Sequence, residues 1–423
     1  MELSASTLIL AIVAFIVYKY RVHAIGTLPR RDLKQPRGAV PLLGHLPLLA
    51  SIPSTQLQEF FERQSDELGP VWSISLPHIG RVIQSDSPEI LEHVLKTNFW
   101  KYEKGILLVD GAEWKFQRKL VISMFSSTAV REYTDTFLAE GKKVLGHLGK
   151  AADEGSIIDL EILMRSYTFD TFGSVSFGKS FGSLDNIHED PPFIVSFERS
   201  LGICSKRMLN PLWRIREWLT GDSKTVLRDQ AMMRQYAIEI FENRRKEVSD
   251  APKTDLLHLL LEAKDDDGNP VPEDTMVDMF LNLLAAGRES TAQSLTWLFY
   301  LILRGESGNA VTKQLTQELD EVLKGSEPTY ETHRRLKYAE ACFYEALRLY
   351  PALPRNLRLC ITDDILPGGI KIHKGEWFAW SSYTIARSEL VWGPDAKEFK
   401  PSRWINTSWN WPIPSNLRPM DIQ

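Results

Sequence analysis

Cysteine is scarce in this sequence. The 423 residues include three cysteines, Cys204, Cys342 and Cys360, and none of them belongs to a C-x-x-C pair. Three scattered cysteines are too few for the disulfide framework of a small secreted domain, and their spacing matches no zinc site. This scarcity is typical of a protein that works in a reducing compartment.

An excess of positive charge is also absent. The sequence has 50 Lys and Arg residues against 55 Asp and Glu residues, which leaves a formal net charge of −5. Proteins that bind nucleic acid usually carry a basic excess, so this balance argues against a nucleic-acid partner. Internal repeats, low-complexity tracts and internal linkers are missing as well. We therefore predict one large domain over residues 51–423.

An apolar run without charged residues, from Leu3 to Tyr18, lies at the N-terminus. The run is slightly shorter than the roughly 20 residues that a spanning helix needs. Basic residues follow from Lys19 onward, and such residues favour a cytosolic position for the segment that they begin. We predict a membrane anchor over residues 1–20 and a basic, proline-rich linker over residues 21–50. The alternative is a cleaved signal peptide, which would carry its charge before the run.

The spacing of apolar residues predicts a mainly α-helical protein with small β-sheets. Residues 88–350 mostly show helical spacing. Residues 71–86 alternate as in a two-stranded hairpin that turns near Pro77–Gly80, and residues 368–386 resemble a second hairpin with Lys374–Gly375 at its turn.

The stretch LLAAGRESTAQS, residues 283–294, places small and polar residues inside a long apolar helical segment. On a helix, Ala286 and Ser290 share one face, and so do Gly287 and Thr291. A serine or threonine in mid-helix can donate to the carbonyl four residues earlier, which bends or loosens the helix. These features predict a shallow groove that a flat ligand could approach closely.

Two charged residues, Arg288 and Glu289, accompany this groove. A buried carboxylate is costly unless it is paired, so Glu289 needs either a partner or a function. One interpretation places Glu289 beside the groove as a functional acid. The other interpretation has both charges facing solvent while the small residues pack against another helix.

A second candidate pair is Glu345 and Arg348, which lie three residues apart on one helical face. Apolar residues interleave the pair and Pro351 follows it, so we predict that it is buried. The same Glu-x-x-Arg spacing occurs in two pairs that we predict to be exposed and worth a few tenths of a kcal/mol: Glu242–Arg245 and Glu331–Arg334.

Two more stretches combine aromatic and basic residues. EFKPSRW contains Phe399, Pro401, Arg403 and Trp404. GAEWKFQRKLVISMFS places Trp114 and Arg118 four residues apart on an amphipathic helix.

Together, and in this order, these stretches resemble a membrane-bound cytochrome P-450, a haem-thiolate monooxygenase. The resemblance extends from the N-terminal anchor through the Trp-x-x-x-Arg helix, the AGREST motif and Glu-x-x-Arg to Phe-x-Pro-x-Arg-Trp, and so covers nearly the whole chain. It implies the cytochrome P-450 fold.

The resemblance also implies roles for individual residues. The AGREST motif would lie over the haem, with Ala286 and Gly287 beside the site where oxygen binds. The implied catalytic residues are Glu289 as the acid, Ser290 as the alcohol and Thr291 as a second hydroxyl. The implied contacts to haem propionates are Trp114, Arg118 and Arg355. The implied structural triad consists of Glu345, Arg348 and Arg403.

The cofactor implied by the family is haem b, whose iron is ligated by a cysteine thiolate. Electrons would come from NADPH through a flavoprotein reductase, and one oxygen atom of O2 would enter a lipophilic substrate. The AAGREST form is similar to the branch that hydroxylates fatty acids and alkanes. The implied location is the endoplasmic reticulum membrane, with a single N-terminal anchor and the domain facing the cytosol.

The sequence departs from the family at the iron ligand. The family's cysteine follows the Phe-x-Pro-x-Arg segment, but residues 405–423 contain neither cysteine nor glycine. The expected axial cysteine is therefore not present, and we predict no metal ligand. We expect a fold that is incomplete at its C-terminus, exposes apolar surface near Glu345 and Arg348, and does not hold a thiolate-ligated haem. The three cysteines of the sequence are predicted to be small buried hydrophobic residues.

Two other functions stay open at this point. The chain could be an inactive, truncated or degenerate family member that acts as a membrane-anchored binding or structural protein. The stretch GKSFG, residues 178–182, also matches the Gly-x-Ser-x-Gly elbow of hydrolases. That elbow needs a strand before it and a helix directly after it, whereas a loop is predicted to follow here.

Overall fold

The structure is a computed structural model. It describes residues 5–77, 79–103, 111–122, 125–187, 189, 191–207, 210, 212–246, 255–264 and 268–405, with the side chains at 5–10, 111–114, 120 and 305–308 excepted. The tail from residue 406 onward and the side chain of Trp114, one of the implied haem contacts, lie outside the described part.

Helices dominate the described residues, as the sequence predicts. The first ten are α1 (Ala5–Lys19), α2 (Leu46–Ser51), α3 (Leu57–Leu68), α4 (Pro88–Glu92), α5 (Gly111–Ile122), α6 (Ser127–Glu154), α7 (Leu160–Phe177), α8 (Pro192–Ser205), α9 (Trp213–Thr220) and α10 (Asp222–Lys246). The others are α11 (Leu256–Leu261), α12 (Glu273–Leu303), α13 (Gly305–Leu323), α14 (Tyr330–His333), α15 (Lys337–Leu349), α16 (Ser382–Arg387) and α17 (Glu389–Trp392).

The strands form two small sheets. They are β1 (Val71–Leu76), β2 (Gly80–Ser85), β3 (Tyr102–Glu103), β4 (Arg355–Cys360), β5 (Asp364–Leu366), β6 (Ile370–Ile372) and β7 (Trp377–Ser381). The larger sheet has the order β1-β2-β7-β4-β3, and the smaller one pairs β5 with β6. The predicted hairpin over residues 71–86 is confirmed, since β1 and β2 pair antiparallel from Val71↔Ser85 to Leu76↔Gly80.

The second predicted hairpin is wrong. Strand β6 pairs with β5, while β7 pairs parallel with β2 and antiparallel with β4. Phe378 and Ala379 on β7 are fully buried, and a central position in the larger sheet buries them where a surface hairpin could not. The turn at Lys374–Gly375 therefore connects two sheets.

Helix α12 passes through the main hydrophobic core. Its first turn carries Glu273 and Asp274, whose negative charges suit a helix N-terminus. Side chains from α7, α10 and α11 pack against it, and the buried members of this cluster include Phe169, Phe177, Phe241 and Phe280. The core thus holds one side of the helix that bears the AGREST motif.

The N-terminal segment packs against the larger sheet. Ala24 is fully buried, and the Arg30 guanidinium donates to the Glu376 carboxylate at 2.8 Å. Residues 21–50, predicted as a linker, therefore contain contacts to the domain. Within the described residues, no helix has both the length and the apolar character to cross a membrane.

Candidate functional site

One face of α12 is open while the opposite face is core. Ala286, Gln293, Trp297 and Tyr300 are exposed, and their spacing of three to seven residues places them along one side of the helix. The other side carries Leu284 and Ala292, which are buried. A 31-residue helix in a core therefore presents an accessible strip around the motif.

Ser290 lies on this open side and is half-buried. Its hydroxyl donates to the Ala286 carbonyl at 2.6 Å, which confirms the predicted bond to the residue four positions earlier. Because the hydroxyl proton is used in this bond, the oxygen keeps its lone pairs for a ligand or a water molecule. Thr291, the second predicted hydroxyl, is exposed on the next position.

Gly287 has the helix-packing role of the second interpretation. A Cβ at this position would lie 2.4 Å from the Cδ2 and Cε2 atoms of Phe172 on α7. The absence of a side chain at Gly287 lets α7 and α12 approach closely, so helix packing accounts for this glycine. Ala286 lies on the open side, and the two small residues therefore act on different faces.

The interpretation that both charges face solvent is wrong for Arg288, which is buried, while Glu289 is partly exposed. The side chain of Arg288 is 4% exposed and donates to Glu289 at 2.5 Å and to Glu198 on α8 at 2.9 Å. Arg165 on α7 pairs with Glu198 and lies 3.6 Å from Glu289. The negative charge of Glu289, which burial would disfavour, is thus balanced by the guanidinium groups of Arg288 and Arg165.

Sequence reasoning missed Arg165 and Glu198. They lie on two other helices, far along the chain from Glu289, and neither is part of a local pattern that singles it out. Only the packing of three helices brings the four charged side chains together. Ion pairs between residues that are far apart in the sequence leave no local sequence pattern.

The predicted propionate contacts occupy different places. Arg118 is partly buried on α5, and its contact to a haem stays a prediction. Arg355 on β4 donates to the Gln84 side chain at 2.9 Å, and its guanidinium lies 3.1 Å from the centre of the Phe61 ring. Burial lowers the pKa of Arg355 to about 9. The described partners of Arg355 are therefore on β2 and α3.

The structural triad does assemble. Glu345 is fully buried, and both of its oxygens accept from Arg348 at 2.8 Å. Arg403 donates to the same carboxylate at 2.9 Å, and the Trp404 indole donates to it at 2.8 Å. Arg348 also donates to the backbone carbonyl of Ala386 in α16 and to that of Ala396 after α17, the latter at 2.6 Å. This cluster ties α15 to the segment that precedes the tail.

Opposite charges set the pKa values in this cluster. Burial alone would raise the pKa of Glu345, but the hydrogen bonds and charge of Arg348 outweigh it and hold the pKa below its usual value. Hydrogen bonds from Lys400 and Arg403 lower the pKa of Asp395 to about 2. Both carboxylates are therefore ionised near neutral pH, as the arginines require.

Two of the cysteines are buried as thiols. Burial raises the pKa of Cys342 to about 12 and that of Cys360 to about 11, so both are thiols at neutral pH. Cys342 packs with Ile302 and Val311, and the Cys360 thiol donates to a backbone carbonyl at 3.0 Å. The prediction that they are small buried residues is confirmed. Cys204, in contrast, is half-buried on α8.

The haem implied by the resemblance fits these residues only in part. The open strip at Ala286 and Ser290 suits the edge or face of a flat ring. As buried thiols, Cys342 and Cys360 do not supply the ionised cysteine of a haem thiolate, and the half-buried Cys204 on α8 is the third cysteine of the described residues. Among the described residues, no group of three or more His, Cys, Asp and Glu could hold a metal ion.

The hydrolase motif has a structural explanation. A helix, α7, precedes GKSFG, and the residues after it form turns, so the strand-turn-helix of a nucleophile elbow is not formed. The buried carboxylate of Asp170 accepts from the backbone N–H groups of Ser183 and Leu184 at 3.0 and 2.8 Å. A Cβ on Gly173 would lie 2.6 Å from the Phe181 ring. The glycines and small residues here close a loop against α7.

Comparisons with known proteins agree with the motif order. The Cytochrome P450 family model matches residues 34–415. Cytochrome P450 94B1 of Arabidopsis thaliana is 32% identical over 77% of this chain and 66% of its own length. Cytochrome P450 94A2 of Vicia sativa is 28% identical over 78% of this chain and 67% of its own length.

A fungal relative extends further along the chain. Cytochrome P450 monooxygenase cyp1 of Mycosarcoma maydis is 28% identical over 93% of this chain and 65% of its own length. The chain thus spans about two thirds of the length of the curated relatives it matches. The match of the family model over residues 34–415, together with the fold and the assembled triad, shows that this chain belongs to the cytochrome P450 family.

Proposed function

We propose that the protein is a haem-dependent monooxygenase that inserts one oxygen atom of O2 into a lipophilic substrate. The observation that carries the proposal is the open strip of α12, where Ala286 and Ser290 are accessible on a helix whose opposite face is core. The family match extends over this helix, and membership of the family implies a haem cofactor. Electrons would be delivered from NADPH by a flavoprotein reductase.

The residues of the strip have separable roles in this proposal. Haem, when bound, supplies the oxidation chemistry, while the protein supplies binding, orientation and electrostatics. Ala286 leaves room for a flat ring, and the Ser290 oxygen accepts a hydrogen bond from a water molecule or ligand in the groove. Glu289 holds a carboxylate beside these groups, and the exposed Thr291 would supply a second hydroxyl from the neighbouring face of α12. The form of the AAGREST motif supports a fatty acid or an alkane as the substrate.

Filling the groove is the direct test of this site. We expect Ala286→Phe to weaken haem binding by roughly tenfold or more, because the phenyl ring would occupy the space beside Ser290. Ala310→Phe is the matched control, since Ala310 is an exposed alanine on α13. Haem is titrated into the full chain and its binding is followed by Soret absorbance and by quenching of tryptophan fluorescence.

Equal haem affinities of the two phenylalanine variants would contradict the proposed haem site. The absence of saturable haem binding by the parent chain would contradict it too. The ferrous–CO spectrum then tests the chemistry, because a Soret band typical of thiolate ligation is required of a monooxygenase. Serine at each cysteine in turn identifies the ligand, and we expect Cys342→Ser and Cys360→Ser to leave the band unchanged. Incubation with NADPH, a flavoprotein reductase, a long-chain fatty acid and 18O2 should place one labelled oxygen in the product.

The membrane part of the proposal rests on exposed apolar side chains. Ile215, Trp218 and Leu219 lie on one side of α9 and are 57–78% exposed. On α1, Ile12 and Phe15 are also exposed. Exposed apolar surface is typical of a protein or membrane contact, so these side chains support a membrane contact. The endoplasmic reticulum membrane and a domain that faces the cytosol are proposed from the basic residues that follow the N-terminal apolar run.

Trp218→Ser should reduce binding of the full chain to phospholipid vesicles by roughly thirtyfold, because an indole side chain contributes about 2 kcal/mol when it leaves water. Vesicle flotation measures the bound fraction. Trp100→Ser provides the control, since Trp100 is a similarly exposed tryptophan in another part of the chain. If both variants bind as the parent does, α9 is not part of a membrane contact.

A further inference from the structure

Four charged side chains from three helices meet next to the open strip of α12. Arg165 comes from α7, Glu198 from α8, and Arg288 and Glu289 from α12. Arg288 is the most enclosed of them, and its guanidinium lies 5.7 Å from the centre of the Phe169 ring. The charges of the two arginines and the two glutamates balance, so the cluster is neutral as a whole.

The two glutamates share the same two arginines. The Oε1 atom of Glu198 contacts both Arg165 and Arg288. The Oε1 atom of Glu289 likewise lies 2.5 Å from Arg288 and 3.6 Å from Arg165. Each carboxylate therefore competes with the other for guanidinium N–H groups.

This sharing leaves one side of Glu289 open. Its second oxygen, Oε2, accepts no hydrogen bond from the residues that the structure describes, and the side chain is 29% exposed. A carboxylate that is fixed through one oxygen can present the other to a proton or to water. The next residue, Ser290, lies on the open strip, so this second oxygen belongs to the same region of α12.

We propose that Glu198 and Arg165 are positioning residues for Glu289. Glu198 accepts hydrogen bonds that Arg165 and Arg288 would otherwise donate to Glu289, and it thereby keeps the second oxygen of Glu289 available. The inference rests on the proposed function, in which Glu289 is the acid of the groove. Without the charge of Glu198, both arginines turn to Glu289 and engage its two oxygens. Helix α8 thereby controls the exposure of a carboxylate on α12.

The reactivity of Glu289 tests this arrangement without haem. The full chain is treated with a water-soluble carbodiimide and an amine, and conversion at Glu289 is followed by mass spectrometry of its peptide. We expect Glu198→Gln to slow conversion by roughly tenfold, the factor that one additional charge-assisted hydrogen bond of the carboxylate provides. Glu198→Asp retains the charge and should restore most of the reactivity.

Arg199→Gln is the matched control. Arg199 follows Glu198 on α8 and pairs with Asp229 on α10 at 2.6 Å, so its loss weakens the docking of α8 without touching Glu289. We expect this variant to react as the parent does. Equal conversion in the parent and in Glu198→Gln, or an equal loss in Arg199→Gln, would overturn the proposal. Failure of haem binding or of oxygenation would leave the labelling result unaffected, so the two proposals fail separately.

Discussion

Replacement of Glu345 by glutamine is expected to lower the free energy of unfolding by about 3–5 kcal/mol, the range for removing one partner of a buried ion pair. Glutamine has nearly the same size but carries no charge. Arg348 and Arg403 would then remain beside a neutral group, in a cluster where Glu345 itself is fully buried. The loss is large because water cannot reach the cluster to replace the carboxylate.

Urea denaturation of the full chain, followed by tryptophan fluorescence, measures this change. Glu242→Gln is the matched control, because Glu242 occupies the first position of another Glu-x-x-Arg sequence. Its side chain is 54% exposed and lies 3.7 Å from Lys246, a contact worth well under about 1 kcal/mol. A loss for Glu345→Gln no greater than that for Glu242→Gln would show that the triad does not hold the fold.

Gly287→Ala is expected to destabilise the protein by about 1–3 kcal/mol, the usual range for an overpacked core. The added methyl group would lie 2.4 Å from the Phe172 ring, which must move or force α7 away from α12. Shortening the neighbour should relieve this strain, so Gly287→Ala combined with Phe172→Leu should be less destabilised than the sum of the two single variants.

Gly141→Ala distinguishes this packing effect from the general preference of helices for alanine. Gly141 lies on α6, and a Cβ there would meet nothing within 4 Å. Alanine should therefore raise stability at Gly141 by up to about 1 kcal/mol. If Gly287→Ala changes the stability in thermal and urea unfolding as Gly141→Ala does, α7 and α12 do not approach each other closely at Gly287.

The local features of this protein follow from its sequence. A long apolar segment that starts with Glu273 and Asp274 predicts α12, and the alternation over residues 71–86 predicts the β1–β2 hairpin. The pairing of Glu345 with Arg348 follows from a spacing of three on one helix, because such positions are neighbours wherever the helix lies. The order of the motifs is likewise a property of the chain alone, and it predicts the family.

The tertiary structure determines which other elements each helix face and each strand contacts. Sequence spacing places Ala286 and Gly287 side by side, but only the position of α7 assigns Gly287 to packing and Ala286 to the open strip. Arg288 is buried because α7 and α8 bring Arg165 and Glu198 to it, and strand β7 lies between β2 and β4 instead of folding back on β6. Contacts between distant segments depend on how whole elements pack, and the spacing of neighbouring residues carries no information about them.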